Sequence, residues 1–223
     1  MAEVLQVFFN LDIVARVWRF LLDGLGMTIL LSLVVVPLGI AGGLALAVLH
    51  NLGRRWLNWL LVAYVDFFRA FPPLMLLVLI YFGVPFLQID LPKFAAVGLA
   101  FFLNTSSYYG EVFRAGIESI PRGQMDAALA SGLSRRQAML YVVIPQAARN
   151  VLPDLVSNTV EVIKLTTIAS VVALPELLNN ARQAQALTYN PTPIVLAALI
   201  YLAMLWPLVR LLSRLEHKSL ALH

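Results

Sequence analysis

The sequence predicts an all-α integral membrane protein with about five transmembrane helices. Of its 223 residues, 61% are hydrophobic and only 13% are charged, and the mean hydropathy is +0.84. Soluble domains, in contrast, carry about 25% charged residues. Long runs without charge also alternate with short basic segments, a pattern typical of chains that cross a bilayer several times.

Charge and cysteine content exclude several classes of function. The net charge is +4 and the pI is about 9.6. In a membrane protein we assign this basic excess to the cytoplasmic membrane surface, and we expect no nucleic-acid partner. The absence of cysteine excludes disulfides, thiolate catalysis and zinc–sulfur sites. His50, His217 and His223 form no metal cluster in the sequence, so no metal site is predicted.

The apolar runs define the predicted elements in order. Residues 1–23 mix aromatic and charged side chains, which predicts an N-terminal periplasmic or interfacial segment. Leu25 to Val48 holds no charge and covers about 36 Å as a helix, enough to cross a bilayer. Trp56 to Phe86 is a second span, broken because Pro72-Pro73 cannot continue a regular helix. The remaining spans are Phe94 to Gly110, Val151 to Leu174 and a helix from about Pro193, after a turn at Tyr189 to Pro193.

The basic residues predict an outside N-terminus and a cytoplasmic C-terminus. With this orientation, ten of the sixteen Lys and Arg residues are cytoplasmic and four are outside, while Arg69 and Lys164 lie at membrane depth. The ten are Arg54, Arg55, Arg114, Arg122, Arg135, Arg136, Arg149, Arg210, Arg214 and Lys218, and the four are Arg16, Arg19, Lys93 and Arg182. Residues 111–149 then form a cytoplasmic loop. No repeat or linker interrupts the chain, so a single transmembrane domain over residues 1–223 is predicted.

Small and polar residues in this loop indicate contact with a soluble partner. Tyr109 to Ile120 predicts a short amphipathic helix, and Gln124 to Ser131 a second one that ends at Gly132 as a left-handed C-cap. Ser134 is the predicted N-cap of the next helix. The alanines would let the second helix lie in a groove of another protein, and Asp126 near its N-terminus suits the helix dipole. An ordinary helical hairpin without a partner is the alternative.

The loop contains a spaced set of small, acidic and aliphatic residues: Asp126, Ala127 and Ala128 are followed after three residues by Gly132, and after nine more by Val142, Ile144 and Pro145. This spacing resembles the docking loop of ABC importer permeases. Six segments in and around this loop and in the spans are similar to polar amino-acid ABC transporter permeases of the histidine, glutamine, arginine and glutamate type. They are Phe67 to Pro72, Ile80 to Gly83, Phe113 to Gln124, Leu129 to Ser134, Val143 to Ala147 and Asn158 to Leu177. The resemblance runs from about residue 22 to residue 215.

This resemblance implies a type I ABC importer (MetI-like) permease fold with a cytoplasmic coupling helix. It further implies an inner-membrane permease subunit that imports a polar amino acid or related small solute. Asp126, Ala127, Ala128 and Gly132 would dock an ABC ATPase dimer. The other implied partners are a second permease copy or a sibling permease, and a periplasmic or extracellular solute-binding protein. The chain lacks a G-x-x-x-x-G-K-[ST] phosphate loop, so we expect the partner ATPase to bind ATP and Mg and this chain to have no cofactor and no catalytic residue.

Polar residues in the fourth predicted span form a stripe. Asn158, Glu161 and Lys164 are spaced i, i+3, i+6, so they share one helix face. Ionised groups at bilayer depth are costly and usually line a pathway. We therefore expect a substrate pathway, with Lys164 facing a carboxylate, Glu161 facing a cationic group, and the hydroxyls of Thr166 and Thr167 adding contacts. By resemblance, Lys164 occupies a lysine position of the family. A purely structural Glu161–Lys164 pair is the alternative.

Two departures from the family pattern leave the solute open. Asp126 stands where the family has Glu, and Leu165 stands where it has Asp. A type I importer for another solute, such as an opine, is therefore an alternative, and a passive channel or a membrane enzyme is a more distant one. Arg69 is expected to have a structural role and to pair with Asp66, with gating as the alternative. Arg182 is expected to be a solvated charge on an outer loop, with contact to a solute-binding protein as the alternative.

Overall fold

The computed structural model of the protein describes residues 7–51 and 53–220, with side chains up to residue 214. The regular structure within these residues is helical. The α-helices are α1 (Leu11–His50), α2 (Arg55–Ala70), α3 (Pro73–Val78), α4 (Lys93–Glu118), α5 (Arg122–Ala130), α6 (Arg135–Ala138), α7 (Ile144–Asn150), α8 (Leu152–Leu165), α9 (Leu177–Thr188) and α10 (Thr192–Leu220). Shorter π-helical turns at Leu79–Gly83 and Met139–Val143 and 3₁₀ segments at Val84–Leu87 and Thr166–Val172 complete the set.

The chain divides into two compact units. The first comprises Met1–Val36, Pro73–Phe101 and Val160–Arg210, and the second comprises Pro37–Pro72, Phe102–Thr159 and Leu211–His223. Each unit uses three separate stretches of chain, so neither corresponds to a contiguous domain. A single transmembrane domain over residues 1–223 stays a prediction.

Four of the predicted spans are long and apolar enough to cross a membrane. They correspond to α1, to Leu152–Val172, to Thr192–Arg214 and to the broken pair Arg55–Ala70 with Pro73–Leu87. The remaining prediction, residues 94–110, lies within the 26-residue α4. The second half of this predicted span carries the polar run from Asn104 to Ser107, and all four of these side chains are buried within the protein. Polar groups in membrane helices usually face the protein interior, so this helix is less apolar than the others, and its crossing stays a prediction.

The stretch before the first predicted span continues α1 and is not a separate short helix. Helix α1 has 40 residues and begins at Leu11. Val17 and Leu21 are buried in an apolar cluster with residues of α9 and α10, including Leu177 and Ala197. The two residues are four positions apart and therefore lie on the same face of α1. This apolar face is buried even though the opposite face is charged. Residues 1–6 of the predicted N-terminal segment lie outside the described residues.

The predicted break at Pro72-Pro73 is confirmed. Helix α2 ends at Ala70, and α3 begins at Pro73. Between them Phe71 is extended, with φ −80° and ψ 127°. A residue that precedes proline favours this conformation, because the proline ring clashes with a helical backbone before it.

Glycines on α1 let α4 approach closely in the second unit. A Cβ atom built on Gly43 would lie 2.5 Å from Cβ of Tyr109 and 2.6 Å from the backbone nitrogen of Gly110. One built on Gly39 would lie 2.5 Å from Oγ1 of Thr105. Small residues at helix crossings in membranes allow such backbone proximity. The two helices therefore pack here without an intervening side chain from α1.

Replacing Gly43 with alanine is expected to destabilise the protein. The new methyl group would meet backbone atoms that cannot rotate away, and overpacking costs about 1–3 kcal/mol. The measurement is the thermal midpoint of the detergent-solubilised protein. Gly98→Ala on α4 is the matched control, because a Cβ atom there meets nothing within 4 Å. Equal midpoints for the two variants would contradict the close crossing.

A buried acid caps α9, a helix that the sequence analysis did not predict. Glu176 is fully buried, and its carboxylate accepts hydrogen bonds from the backbone N–H groups of Leu178 (2.8 Å) and Asn179 (2.7 Å). The Tyr201 hydroxyl donates a third, at 2.9 Å. Burial raises the pKa of Glu176, and these hydrogen bonds oppose the rise. Arg182 is exposed on α9, so it lies on a helix and not on the expected loop.

The last span begins as predicted. Tyr189 has φ +48° directly after α9, and α10 begins at Thr192, one residue before the expected start. The Thr192 side-chain oxygen accepts a hydrogen bond from the backbone N–H of Asn10 at 3.1 Å. This bond ties the start of α10 to the start of α1 within the first unit.

Candidate functional site

Helix α5 is the centre of the predicted docking loop. It spans Arg122–Ala130, close to the predicted Gln124 to Ser131. The next residues form the predicted left-handed cap, since Gly132 has φ +85°. Its N–H donates to the carbonyl of Leu129 at 3.0 Å, and Leu133 N–H donates to the carbonyl of Ala128 at 3.2 Å. This pair of bonds is the Schellman arrangement, which satisfies the last carbonyls of a helix.

The turn after Gly132 is held from its other side by Ser134. The Ser134 hydroxyl accepts a hydrogen bond from the backbone N–H of Gln137 at 3.4 Å, and Ser134 N–H donates to Oε1 of Gln137 at 2.9 Å. These reciprocal bonds form a capping box, so the predicted N-cap is confirmed. Because both helix ends are capped, the turn between α5 and α6 has a defined conformation.

The side chains of α5 divide into an exposed and a buried set. Asp126 and Ala127 are exposed, as is Gly132, while Ala128 is buried. Asp126 is the fifth residue of a helix that starts at Arg122, so the expected interaction with the helix dipole does not apply beyond the first turn. Its carboxylate makes no ion pair among the described residues. The exposed side of α5 therefore carries a single acidic residue.

The two halves of the loop motif lie together. Gln146 Nε2 donates to Oε1 of Gln124 on α5 at 3.3 Å and to the carbonyl of Val142 at 2.9 Å. The separate helix expected at Tyr109 to Ile120 is instead the end of α4, which continues to Glu118. Tyr109 and Phe113 are both buried, so the apolar face of the span extends into this segment without a break.

Arg69 pairs with a different residue from the one predicted. Its Nη1 lies 3.7 Å from Oε1 of Glu111, so the expected pairing with Asp66 was wrong. Glu111 also accepts hydrogen bonds from Arg114, which lower the pKa of Glu111. Arg114 extends the network to Glu118 at 2.6 Å. Spacing along α2 could not identify the partner, because Glu111 lies on α4.

The stripe on α8 is centred on an exposed ion pair. Lys164 Nζ lies 2.6 Å from Oε1 of Glu161, and the two side chains are 50% and 65% exposed. Asn158 lies earlier on the same helix and is partly buried, and its Nδ2 has no hydrogen-bond partner among the described residues. Thr167 is partly buried and donates to the carbonyl of Lys164 at 2.8 Å.

Thr166 does not belong to the exposed stripe. It is fully buried and donates to the carbonyl of Ile163 at 2.7 Å. Its hydroxyl is therefore engaged within the protein, and the predicted contact of Thr166 with the solute stays a prediction. A residue two positions after Lys164 points to nearly the opposite side of a helix, so the helical spacing itself separates the two.

The family described as "Binding-protein-dependent transport system inner membrane component" matches residues 36–219. The chain belongs to this family. The permease is therefore a transport component and not an enzyme. Type I ABC importer permeases of this kind work with an ATPase and a solute-binding protein.

Relatives and solved structures agree with this membership. The permease is 32% identical over 213 residues to the arginine transport system permease protein ArtQ of Bacillus subtilis (strain 168), covering 94% of this chain and 97% of the relative. It is 34% identical over 200 residues to the probable glutamine ABC transporter permease protein GlnM of the same organism, covering 89% and 93%.

The solved structures confirm the predicted fold. A chain in the crystal structure of an amino acid ABC transporter with histidines superposes with a TM-score of 0.84 at 32% identity, covering 92% of the permease and 96% of that chain. An inward-facing methionine transporter, MetNI, is similar in fold, with a TM-score of 0.76 at 19% identity, covering 90% and 96%. The type I, MetI-like permease fold is thus the fold of this chain.

Sequence reasoning missed two features of the permease. The close crossing at Gly43 depends on which residues of α4 face it, and α1 alone does not reveal them. Glu176 was missed as a helix start because Glu is not a favoured N-cap residue. A signal was present, since an acid preceded by proline and followed by helix-forming residues could have marked the start of α9.

Proposed function

We propose that the permease moves a polar amino acid or related small solute along a path that includes Asn158, Glu161, Lys164 and Thr167. The observation that carries this proposal is the exposed Glu161–Lys164 pair on a candidate span. A free amino acid has both a carboxylate and an ammonium group, and the pair offers a partner for each. Similarity to permeases named for arginine and glutamine supports this solute class.

The exposure of the pair argues against a purely structural role. Exposed ion pairs contribute about 0–1 kcal/mol to stability, too little to explain two charges at membrane depth. Charges left this accessible on a span need water, a ligand or another chain around them. A second permease copy or a sibling permease that encloses a wet pathway would meet this need. Asn158 lies on the same helix, and its Nδ2 is buried without a hydrogen-bond partner among the described residues.

The docking proposal assigns α5 to the ATPase. Asp126, Ala127 and Gly132 would contact a groove on each subunit of an ABC ATPase dimer, and Ala128 would support them from beneath. The ATPase would bind ATP and Mg. The capped turn makes α5 a defined element, so movement of the ATPase subunits would be transmitted to the loop and then to α4 and α8. Closure of the dimer would turn the pathway outward, and hydrolysis would reset it.

The orientation that this requires follows from the basic residues. We infer an outside N-terminus and a cytoplasmic C-terminus in the inner membrane, because ten of the sixteen Lys and Arg residues then lie inside. A solute-binding protein would deliver the solute from the outer side.

Affinity purification of the tagged permease from its own membranes in mild detergent, followed by mass spectrometry, tests this function. We expect an ABC ATPase to co-purify, with or without a second permease. Asp126→Lys should lose the ATPase, since it reverses the single acidic charge of the exposed α5 face. Asp90→Lys, at an exposed acid predicted on the outer side, is the matched control and should retain it. Recovery of the wild-type permease without an ATPase in several detergents would contradict the docking proposal.

A further inference from the structure

A cleft of about 480 Å³ lies beside the end of α1 in the second unit. Its apolar wall is formed by Val48, Met139, Leu140 and Ile144. Its polar residues include Arg135 and Arg136, at the start of α6. The lining thus combines apolar side chains with two arginines, and the docking loop contributes most of it.

The arginines of this cleft have no acidic partner in the part of the chain that the structure describes. Arg135 and Arg136 are exposed and make no ion pair within the described part of the chain. Arg54 and Arg55 are also exposed and without an ion pair among the described residues, and they directly follow the lining residue Gly53 in the sequence. Arg69 and Arg114 elsewhere in this unit are paired with Glu111. Among the described residues, no ion pair therefore compensates the positive charge of the cleft.

The cleft lies where apolar helices end. Helix α1, a candidate span, ends at His50, and α2 begins five residues later with exposed Trp56 and Trp59. Tryptophan favours the boundary between the hydrocarbon core and the headgroups of a membrane. Leu140 in the apolar wall and its neighbour Tyr141 are 55% and 72% exposed. Exposed side chains of this size gain little free energy from contact with water, but they fit the upper part of a lipid leaflet.

We propose that the cleft binds an anionic phospholipid of the surrounding membrane. The lipid phosphate would lie between Arg135 and Arg136, and the glycerol and first acyl carbons would lie against the apolar wall. Basic pockets between membrane helices on the cytoplasmic side suit such headgroups. A free phosphate ion would use the arginines and leave the apolar wall uncovered, so the lipid uses more of what the cleft offers. A bound lipid would hold α6, and with it the docking loop, at the membrane surface.

Native mass spectrometry of the full-length permease in detergent, titrated with phosphatidylglycerol, tests the proposal. Loss of about fivefold in affinity is expected for each arginine near an anionic headgroup, so R135Q/R136Q should bind phosphatidylglycerol about 30-fold more weakly than wild type. R122Q/R149Q is the control, because it removes the same charge from exposed loop residues outside the cleft. It should bind like wild type. Leu140→Asn should also weaken binding, since it makes the apolar wall polar.

Four outcomes would overturn the proposal. One is an equal loss of affinity in both double variants, which would indicate nonspecific attraction to net charge. Another is complete loss of phosphatidylglycerol binding in millimolar inorganic phosphate, together with unchanged binding in Leu140→Asn. This result would indicate a phosphate site without a lipid. A third is displacement of the lipid when the ATPase binds, which would assign these arginines to the ATPase. Unchanged affinity in R135Q/R136Q with an unchanged thermal midpoint would exclude the cleft altogether. Each readout is independent of transport and of the solute.

Discussion

Solute uptake is expected to fall to background when Lys164 is replaced by alanine. The ammonium group is the cation of the exposed pair on α8 and the proposed partner of the solute carboxylate. Losing a hydrogen bond between charged groups costs about 1.5–3 kcal/mol, which corresponds to about 10–100-fold in affinity. The measurement is uptake of radiolabelled amino acids into proteoliposomes that contain the assembled transporter. Membrane insertion and ATPase association should remain, because the side chain is exposed and supports little packing.

A charge exchange separates this role from a structural one. In the double variant Glu161→Lys with Lys164→Glu, the same two charges can still pair at the i, i+3 spacing. A merely structural pair would regain uptake in the double variant. A solute contact would not, because each charge would then face the wrong group of the amino acid. Uptake at the wild-type rate in Lys164→Ala alone would rule out the proposed pathway role.

Uncoupling from the ATPase is expected when Gly132 is replaced by valine. Gly132 has φ +85°, and a β-branched residue is strongly disfavoured in this region. The strain amounts to about 1–3 kcal/mol, comparable to the hydrogen bonds that define the turn. We expect the turn to rearrange, the exposed face of α5 to move, and ATPase co-purification and uptake to drop together.

Two control variants make this result specific to the backbone. Gly132→Asn has a side chain of similar size, but asparagine tolerates the left-handed conformation, so it should retain most of the ATPase. Gly123→Val is placed within α5 itself, where an added Cβ atom meets nothing within 4 Å and φ is not positive. It should therefore have a weaker effect. If valine and asparagine at position 132 reduce association equally, side-chain bulk and not backbone strain is responsible.

Much of the docking loop could be predicted from its sequence because its structure is local. Gly132 and Ser134 act on atoms within a few residues, through a left-handed backbone and a capping box. The break at Pro72-Pro73 is equally local, since the steric clash involves adjacent residues. The family motif placed Asp126 and Ala127 on a helix, and both are exposed there. Their contact with an ATPase stays a prediction, as does the role of the α8 stripe.

Other features depended on residues distant in sequence. The partner of Arg69 is on another helix, so the i, i+3 spacing to Asp66 gave the wrong pair. The continuity of α1 from Leu11 depends on its apolar face being buried by α9 and α10. The polar run of α4 lowers the hydropathy of this helix. It is compatible with a membrane helix because its side chains are buried within the protein. None of these neighbours can be identified from local periodicity.

The sequence by itself determined the membrane class, the family, the broken second span and the capped turn of the docking loop. Composition, motif spacing and short-range sterics suffice for these, because their causes lie within a few residues or in the chain as a whole. The tertiary structure alone decided the close crossing at Gly43, the pairing of Arg69 with Glu111 and the basic cleft at Arg135. Each of these arises when side chains from separate helices meet, and only packing determines which ones do.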